Sequence, residues 1–397
     1  MRHRAGPARA RTVAAGGRPK DVKGSRNTAH THMQDVVWRT SGDVTLPHVS
    51  ECHREYLQKL VRQVSGLGEL HVLVDLSLHL ADHLSWAALR ERAARHEREL
   101  TAAIPGVASA VAYTVADVVT AFPHVEWPVP GRLHPLREWH NHTQIWLLSL
   151  QERLRARGRM LTRSISDRYA AQPVSNMLGY FIHEPSLCLW LRRQPSLTSA
   201  DGGPRYIWVI EDDTLLIGSS LRAPLLRLSP WTRLGEGAAS VGGTADLVSV
   251  FQSHSYVDDF WWLYLNRNFS SAFPGRPLHR WEHVERYSST LLREIEDLLE
   301  RGVAAYGEVF SSTVCERLAW CERLDLRDTG FVPRDGAHYA DSSPLSSKAL
   351  TRLEERASAK TRTAGARSMY STTTGAAVGR WVHAVKEGCT LSAHARA

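Results

Sequence analysis

The segment Tyr206-Ile207-Trp208-Val209-Ile210-Glu211-Asp212-Asp213 constrains this chain more than any other. Its apolar run is too short for a helix and rich in β-branched and aromatic residues, so it reads as a buried strand. The strand ends abruptly in three carboxylates, which repel one another and lose hydration at a sheet edge. A hard divalent cation relieves both costs, taking carboxylate oxygens and keeping places for substrate phosphates. Glu211, Asp212 and Asp213 are therefore candidate ligands for metal-assisted chemistry on a phosphorylated substrate. A solvated acidic turn is the alternative.

The surrounding pattern places that strand in an alternating α/β chain. A helix-compatible segment from about Pro47 runs through Tyr56, Leu57, Leu60 and Val61 and stops at Gly66-Leu67-Gly68. Residues 70–75 read as a first buried strand with Asp75 near its carboxyl end. Ser85 can cap a helix over 86–103, whose Leu89, Ala93, His96 and Leu100 share one face. Residues 108–115 read as a second strand closing on Asp117. Helices are expected over 144–157 and about 174–183, and a further strand over 245–250. Trp261-Trp262-Leu263-Tyr264-Leu265 is a dense aromatic patch, and residues 289–301 form an amphipathic helix ended or bent by Gly302. Strand, helix, strand with acids at strand ends predicts a doubly wound, mostly parallel central sheet with flanking helices.

Charge decides less than it first suggests. The net charge of +8 is concentrated at the ends: residues 1–34 hold Asp21 as their only acid, and the tail beyond about Asp341 is also basic. Such ends read as disordered arms, over 1–45 and most of 341–397, although Trp381-Val382 hints at a small docking element. No zinc-finger spacing, basic zipper or RNA-binding aromatic motif accompanies them, so no specific nucleic-acid partner is expected. No run of 18 apolar residues occurs, which predicts no membrane span in this chain. The five cysteines include no CxxC pair. Cys315 and Cys321 read equally as a local disulfide or as two thiols.

The acidic strand end, the Asp246-Leu247-Val248 strand, and Arg286-Tyr287-Ser288 leading through a helix to Gly307-Glu308-Val309-Phe310 form an ordered series. It resembles that of nucleotide-sugar glycosyltransferases of the GT-A fold, particularly uncharacterised glycosyltransferase-like proteins of algae and other protists. It is similar, more distantly, to the branching N-acetylglucosaminyltransferases. The resemblance covers roughly residues 68 to 330 and implies a catalytic domain of that fold over 46–340. It implies a hexosyl or N-acetylhexosaminyl transfer from a nucleotide-diphosphate sugar donor to a hydroxyl of a glycan or glycoprotein acceptor. In that family a D-x-D-type motif holds Mn²⁺ or Mg²⁺; the matching positions here are Glu211 and Asp213 around Asp212, read as E-x-D. It also implies the Golgi or secretory lumen if an anchor precedes this chain, and the cytoplasm otherwise. An inactive glycan- or nucleotide-binding protein on the same fold is the alternative.

Other candidates take roles from their chemistry. Asp75 and Asp117 lie where strands should open toward a nucleoside and can accept hydrogen bonds from ribose hydroxyls or the base; a cap or turn role is the alternative for each. Glu308, among apolar neighbours, is a candidate general base toward an acceptor hydroxyl. Asp258 and Asp259, next to Trp261 and Trp262, are rival bases or acceptor-sugar ligands. Arg286 offers a planar fork to a phosphate, with a structural ion pair as its alternative. His140, His142 and His183 show no convincing metal spacing. There is no Gly-x-Ser-x-Gly elbow, P-loop lysine motif or clean Gly-x-Gly-x-x-Gly, which argues against hydrolase, NTPase and dehydrogenase classes.

Overall fold

The computed structural model describes residues 34–41, 51–76, 86–125, 127, 181–194, 205–212, 214–217, 220–229, 243–252, 267–275, 277–332, 352, 355 and 380–382. Their centre is a seven-stranded sheet in the order β3-β2-β1-β4-β7-β6-β8. Its strands are β1 (Gln34–Ser41), β2 (Leu70–Asp75), β3 (Val107–Tyr113), β4 (Tyr206–Glu211), β6 (Leu247–Gln252), β7 (His279–Ser288) and β8 (Arg323–Asp325). The pairs β1–β2, β2–β3, β1–β4 and β6–β8 are parallel, and β7 runs antiparallel to both neighbours. The architecture is α/β with a mixed, mostly parallel sheet.

Helices cover both faces. On one lie α1 (Glu51–Val64) and α2 (Trp86–Ala103), the crossovers from β1 to β2 and from β2 to β3, with α5 (Arg222–Arg227) beside them. Leu57, Leu60, Val64, Ala93, Leu100 and Leu225 pack there against Val36, Trp38, Val72 and Trp208. The opposite face carries α3 (Val115–Ala121), α4 (His183–Arg192), α6 (Arg267–Ala272), α7 (Ser289–Glu300) and α8 (Phe310–Arg317). Val118, Leu187, Phe269, Leu291, Ile295 and Phe310 pack with Val37, Leu73 and Val209 in that second core. The chain thus changes side after β3, and β1 and β4 become neighbours where the strand order reverses.

Local chemistry accounts for the best-defined helix. The Ser288 hydroxyl accepts from the Leu291 N–H at 3.1 Å and caps α7, whose five large apolar residues recur at helical spacing and are all buried. Each such side chain contributes roughly 1.5–3 kcal/mol on burial. Gly302, at φ 78°, ends it: Val303 N–H reaches Leu298 O at 2.8 Å and Gly302 N–H reaches Leu299 O at 3.0 Å.

Two strands depart from the sequence expectation. The disordered arm expected through residue 45 does not hold for Gln34–Ser41, which form an interior strand parallel to both neighbours, buried from Gln34 through Thr40. Strand β7 was not anticipated at all, because His-Arg-Trp-Glu-His-Val-Glu-Arg-Tyr-Ser has no apolar alternation. Val115, expected in a strand, begins α3. The helix expected over 144–157 and the aromatic patch at 261–265 lie outside the described residues, and α4 begins where the helix expected over about 174–183 was to end. The tail contributes β9 (Arg380–Val382), which pairs antiparallel with β5 (Leu215–Ile217). Cys315 and Cys321 are joined by a disulfide, and Cys188 is a buried free thiol whose pKa burial pushes up. Among the described residues, no helix is long and apolar enough to cross a membrane.

Candidate functional site

In open α/β sheets, ligands gather outside the carboxyl ends of the strands where the strand order reverses. Here that point lies between β1 and β4, and Arg39 of β1 stands directly opposite Glu211 of β4. Both side chains face the helix layer of α4 and α7. Arg39 is buried, with Asp75 and Glu211 each 3.9 Å from its guanidinium, and it hydrogen-bonds His183 Nδ1 at the start of α4. Burial works to lower the Arg39 pKa, but Tyr113, Asp75, Glu211 and Glu282 around it outweigh that effect and raise it. The guanidinium therefore stays charged.

Strand β7 supplies the rest of the cluster through an irregularity. Between the pairs Val248↔Arg286 and Val250↔Trp281 the register breaks, β6 advancing two residues while β7 advances five. Such a bulge re-aims side chains. Arg280, Glu282 and Glu285 are all buried and converge on the cluster. Arg280 donates to Glu184 at 2.6 Å and to the Tyr287 hydroxyl at 2.9 Å, and pairs with Glu285. Glu285 accepts from Tyr287 at 2.6 Å and from the imidazole Nε2 of His183 at 3.0 Å. With Nδ1 accepting from Arg39, His183 is the neutral Nε2–H tautomer; burial first, then Arg39 and Arg280, hold its pKa well below the usual range.

Glu282 is the exception in this network. It is buried, yet neither carboxylate oxygen has a hydrogen-bond partner; His183 Nδ1 is 3.6 Å away. Burial first and the Glu211 charge second raise its pKa well above the ordinary range. One ligand atom each of His183, Glu211 and Glu282 lie within 4.8 Å of one another. Orphaned carboxylate oxygens beside a second carboxylate and an imidazole fit a divalent cation, whose charge would offset the factors that raise the Glu282 pKa. A cation taking Nδ1 of His183 would have to displace the Arg39 bond.

The sequence candidates divide. Glu211 joins the cluster and also meets His283 Nδ1 at 2.8 Å. Asp75, at the end of β2, enters it through Arg39. Glu308 lies near it: its carboxylate meets His279 Nε2 at 2.8 Å and its charge acts on Glu282. Asp212 instead accepts from Thr40 Oγ1 at 2.5 Å, tying the end of β4 to β1. Asp117 takes the cap role, accepting from the Thr114 N–H at 2.9 Å and hydroxyl at 2.7 Å while Thr114 accepts in return.

Arg286 lies apart from the Glu211 cluster. It points to the other face, where its guanidinium donates to the carbonyls of Leu228, Gly243 (3.1 Å) and Ala245 (2.9 Å) and stacks on Tyr206, 4.5 Å from the ring centre. The expected metal ligand Asp213, and Asp258, Asp259, Trp261 and Trp262, lie outside the described residues.

Sequence reasoning missed Arg39, Glu184, Arg280, Glu282 and Glu285, and it read His183 only against other histidines. The available signal was the charge density of 279–286, six ionisable residues in eight inside a folded chain. A second group, Asp35, Glu69 and His71, is also placed to hold a metal ion. Comparison with protein-family models, curated proteins and solved structures finds no match to this chain.

Proposed function

We propose that this chain is a glycosyltransferase of GT-A type, moving a sugar from a nucleotide-diphosphate donor to a hydroxyl of a glycan or glycoprotein acceptor. The observation that carries this reading is the position of Glu211, with Arg39, Glu282 and His183, at the reversal point of a mostly parallel sheet. Glu211 and Glu282, with His183, would hold Mn²⁺ or Mg²⁺. Bound there, the cation would act as a Lewis acid toward a departing diphosphate. Arg39 is a permanent charge within reach of the same group, and its fork suits phosphate oxygens. Asp75 is placed to orient Arg39 or to accept from the nucleoside. Glu308, hydrogen-bonded to His279, is the candidate base toward the acceptor hydroxyl, the imidazole orienting its carboxylate.

A donor panel incubated with Mn²⁺, with Mg²⁺ and with chelator tests the proposal by release of nucleoside diphosphate. Release with at least one donor, suppressed by chelator, is expected. No release with any donor and acceptor, and no thermal shift from nucleotide plus Mn²⁺, would sink it. A second reading, a nucleotide- or glycan-binding protein without turnover, is favoured by the way Arg39 already neutralises Asp75 and Glu211 without an ion. It predicts a nucleotide-induced thermal shift, indifferent to chelator, with no diphosphate released.

A further inference from the structure

At the amino-terminal edge of the sheet, opposite the end that carries Glu211, Asp35 of β1 lies beside Glu69 and His71 at the start of β2. Asp35 and His71 are buried while the Glu69 side chain is half exposed, at 51%. One ligand atom of each lies within 4.8 Å of the other two. Asp35 Oδ1 accepts from the Glu69 N–H at 3.2 Å, but its Oδ2, fully buried, has no hydrogen-bond partner. His71 Nε2 is likewise buried without a hydrogen-bond partner, with Glu69 Oε2 at 3.9 Å. Two orphaned polar atoms in one buried corner are costly, each forfeiting about 1–3 kcal/mol unless something bridges them.

The other side of His71 explains why Nε2 is bare. Its Nδ1 is 2.8 Å from Ser109 Oγ, which also accepts from Gln194 at 3.0 Å, and the ring packs edge-on against Trp190. In the tautomer whose Nδ1–H donates to Ser109, the lone pair of Nε2 faces Glu69; a partner that holds the ring in this way is the usual support of a metal-ligating histidine. Burial first, and Arg205 second, lower the His71 pKa to about 4. Arg205 also acts on Asp35, offsetting part of the anionic charge of the corner without bonding either orphaned atom.

We propose that Asp35, Glu69 and His71 form a second cation site, taking a borderline divalent metal with zinc foremost, and clipping the start of β1 to the start of β2. One imidazole and two carboxylates suit zinc better than the all-oxygen sets preferred by Mg²⁺ or Ca²⁺. Zinc at about 2.0–2.2 Å from each ligand needs them roughly 3.3 Å apart. Glu69, the exposed member, is free to close that distance. Solvent at the edge can fill the remaining position. The site uses no residue of the Glu211 cluster and stands whether or not the chain transfers sugar.

The test is zinc titration of the chelator-stripped full chain against a competing fluorescent chelator, with Co²⁺ absorption as an independent readout. Wild type is expected to bind zinc at this site and to gain thermal stability from it. Glu69→Gln, a change at a half-exposed side chain, should weaken that binding at least about tenfold, and Ser109→Ala should weaken it about 10- to 100-fold by freeing the imidazole tautomer. His71→Gln should abolish both the zinc-dependent thermal shift and the cobalt ligand-field bands. Glu282→Gln should leave them in place, separating this site from the one at β4. Equal zinc affinity and stoichiometry in wild type, Glu69→Gln and His71→Gln would overturn the assignment, as would the absence of binding at micromolar zinc.

Discussion

Strand β7 buries two arginines, and their surroundings differ. Arg286 is held mostly by neutral groups, three backbone carbonyls and the rings of Tyr206 and Trp208, with Asp246 nearby. Burial lowers its pKa to about 10, with Tyr206 and Asp246 opposing. Arg280 lies among Glu184, Glu285 and Tyr287; burial works against its charge, and Tyr287, Glu184 and Glu282 more than reverse the effect. A neutral cage organises chain, using one side chain to collect carbonyls from loops. An ionic cage is costly to build for packing alone, since apolar residues of similar volume usually serve stability as well or better. That contrast marks the Arg280 side of the strand as the place where a ligand is expected, and the Arg286 side as scaffold.

The contrast can be broken most directly by removing each arginine. Arg280→Met should cost about 3–5 kcal/mol, because it strands buried carboxylates. Arg286→Met, leaving only carbonyls short of a donor and keeping most of the volume against the rings, should cost about 2–3 kcal/mol. Urea unfolding midpoints decide the order, and the reverse ranking would refute the distinction. Within the ionic cage, Glu282→Gln should change stability by less than about 1 kcal/mol, since an amide keeps the side chain's shape and neither carboxylate oxygen has a hydrogen bond to lose. The same change should abolish the Mn²⁺-dependent nucleotide thermal shift; a retained shift would remove Glu282 from the site.

Scaffold residues should show the opposite pattern. Asp117→Ala should cost about 1 kcal/mol through the lost capping box and leave nucleotide affinity unchanged in a binding titration. The smallest effect belongs to Asp246, at the rim of the neutral cage. Burial raises its carboxyl pKa, partly opposed by the Glu322 N–H, Ser288 and Arg286. The folded chain therefore holds this proton at pH values where the unfolded chain has lost it, so Asp246 favours folding below its unfolded pKa of 3.8 and loses that contribution as pH rises through the folded value. Asp246→Asn should flatten the fall in stability just above pH 4, measured as unfolding midpoints of both proteins across that window.

The elements legible in the sequence were those whose burial is apolar. Residues 70–75, 86–103 and 206–211 were read correctly because strand length, helical period and β-branched content all agreed with the fold. β1 was hidden because Gln34, Asp35, Arg39 and Thr40 interrupt Val36-Val37-Trp38 inside a basic segment. β7 was hidden for a related reason: its buried side chains satisfy one another as ion pairs, which a hydrophobicity pattern does not register. Of the candidate cluster, Glu211 was legible as a strand-end acid. His183 and Glu282 were not, because nothing in their spacing links residues brought together by α4, β4 and a bulge.

The place of β1 between β2 and β4 bears on how the protein is made. The bond between Gln34 and Trp208 joins positions 174 apart. At translation rates of about 5–20 residues per second, roughly ten seconds or more separate the emergence of that strand from the arrival of its second neighbour. During the interval one margin of Val36, Val37 and Trp38 is open to any passing polypeptide. A holdase on the ribosome would shield that margin until β4 arrives.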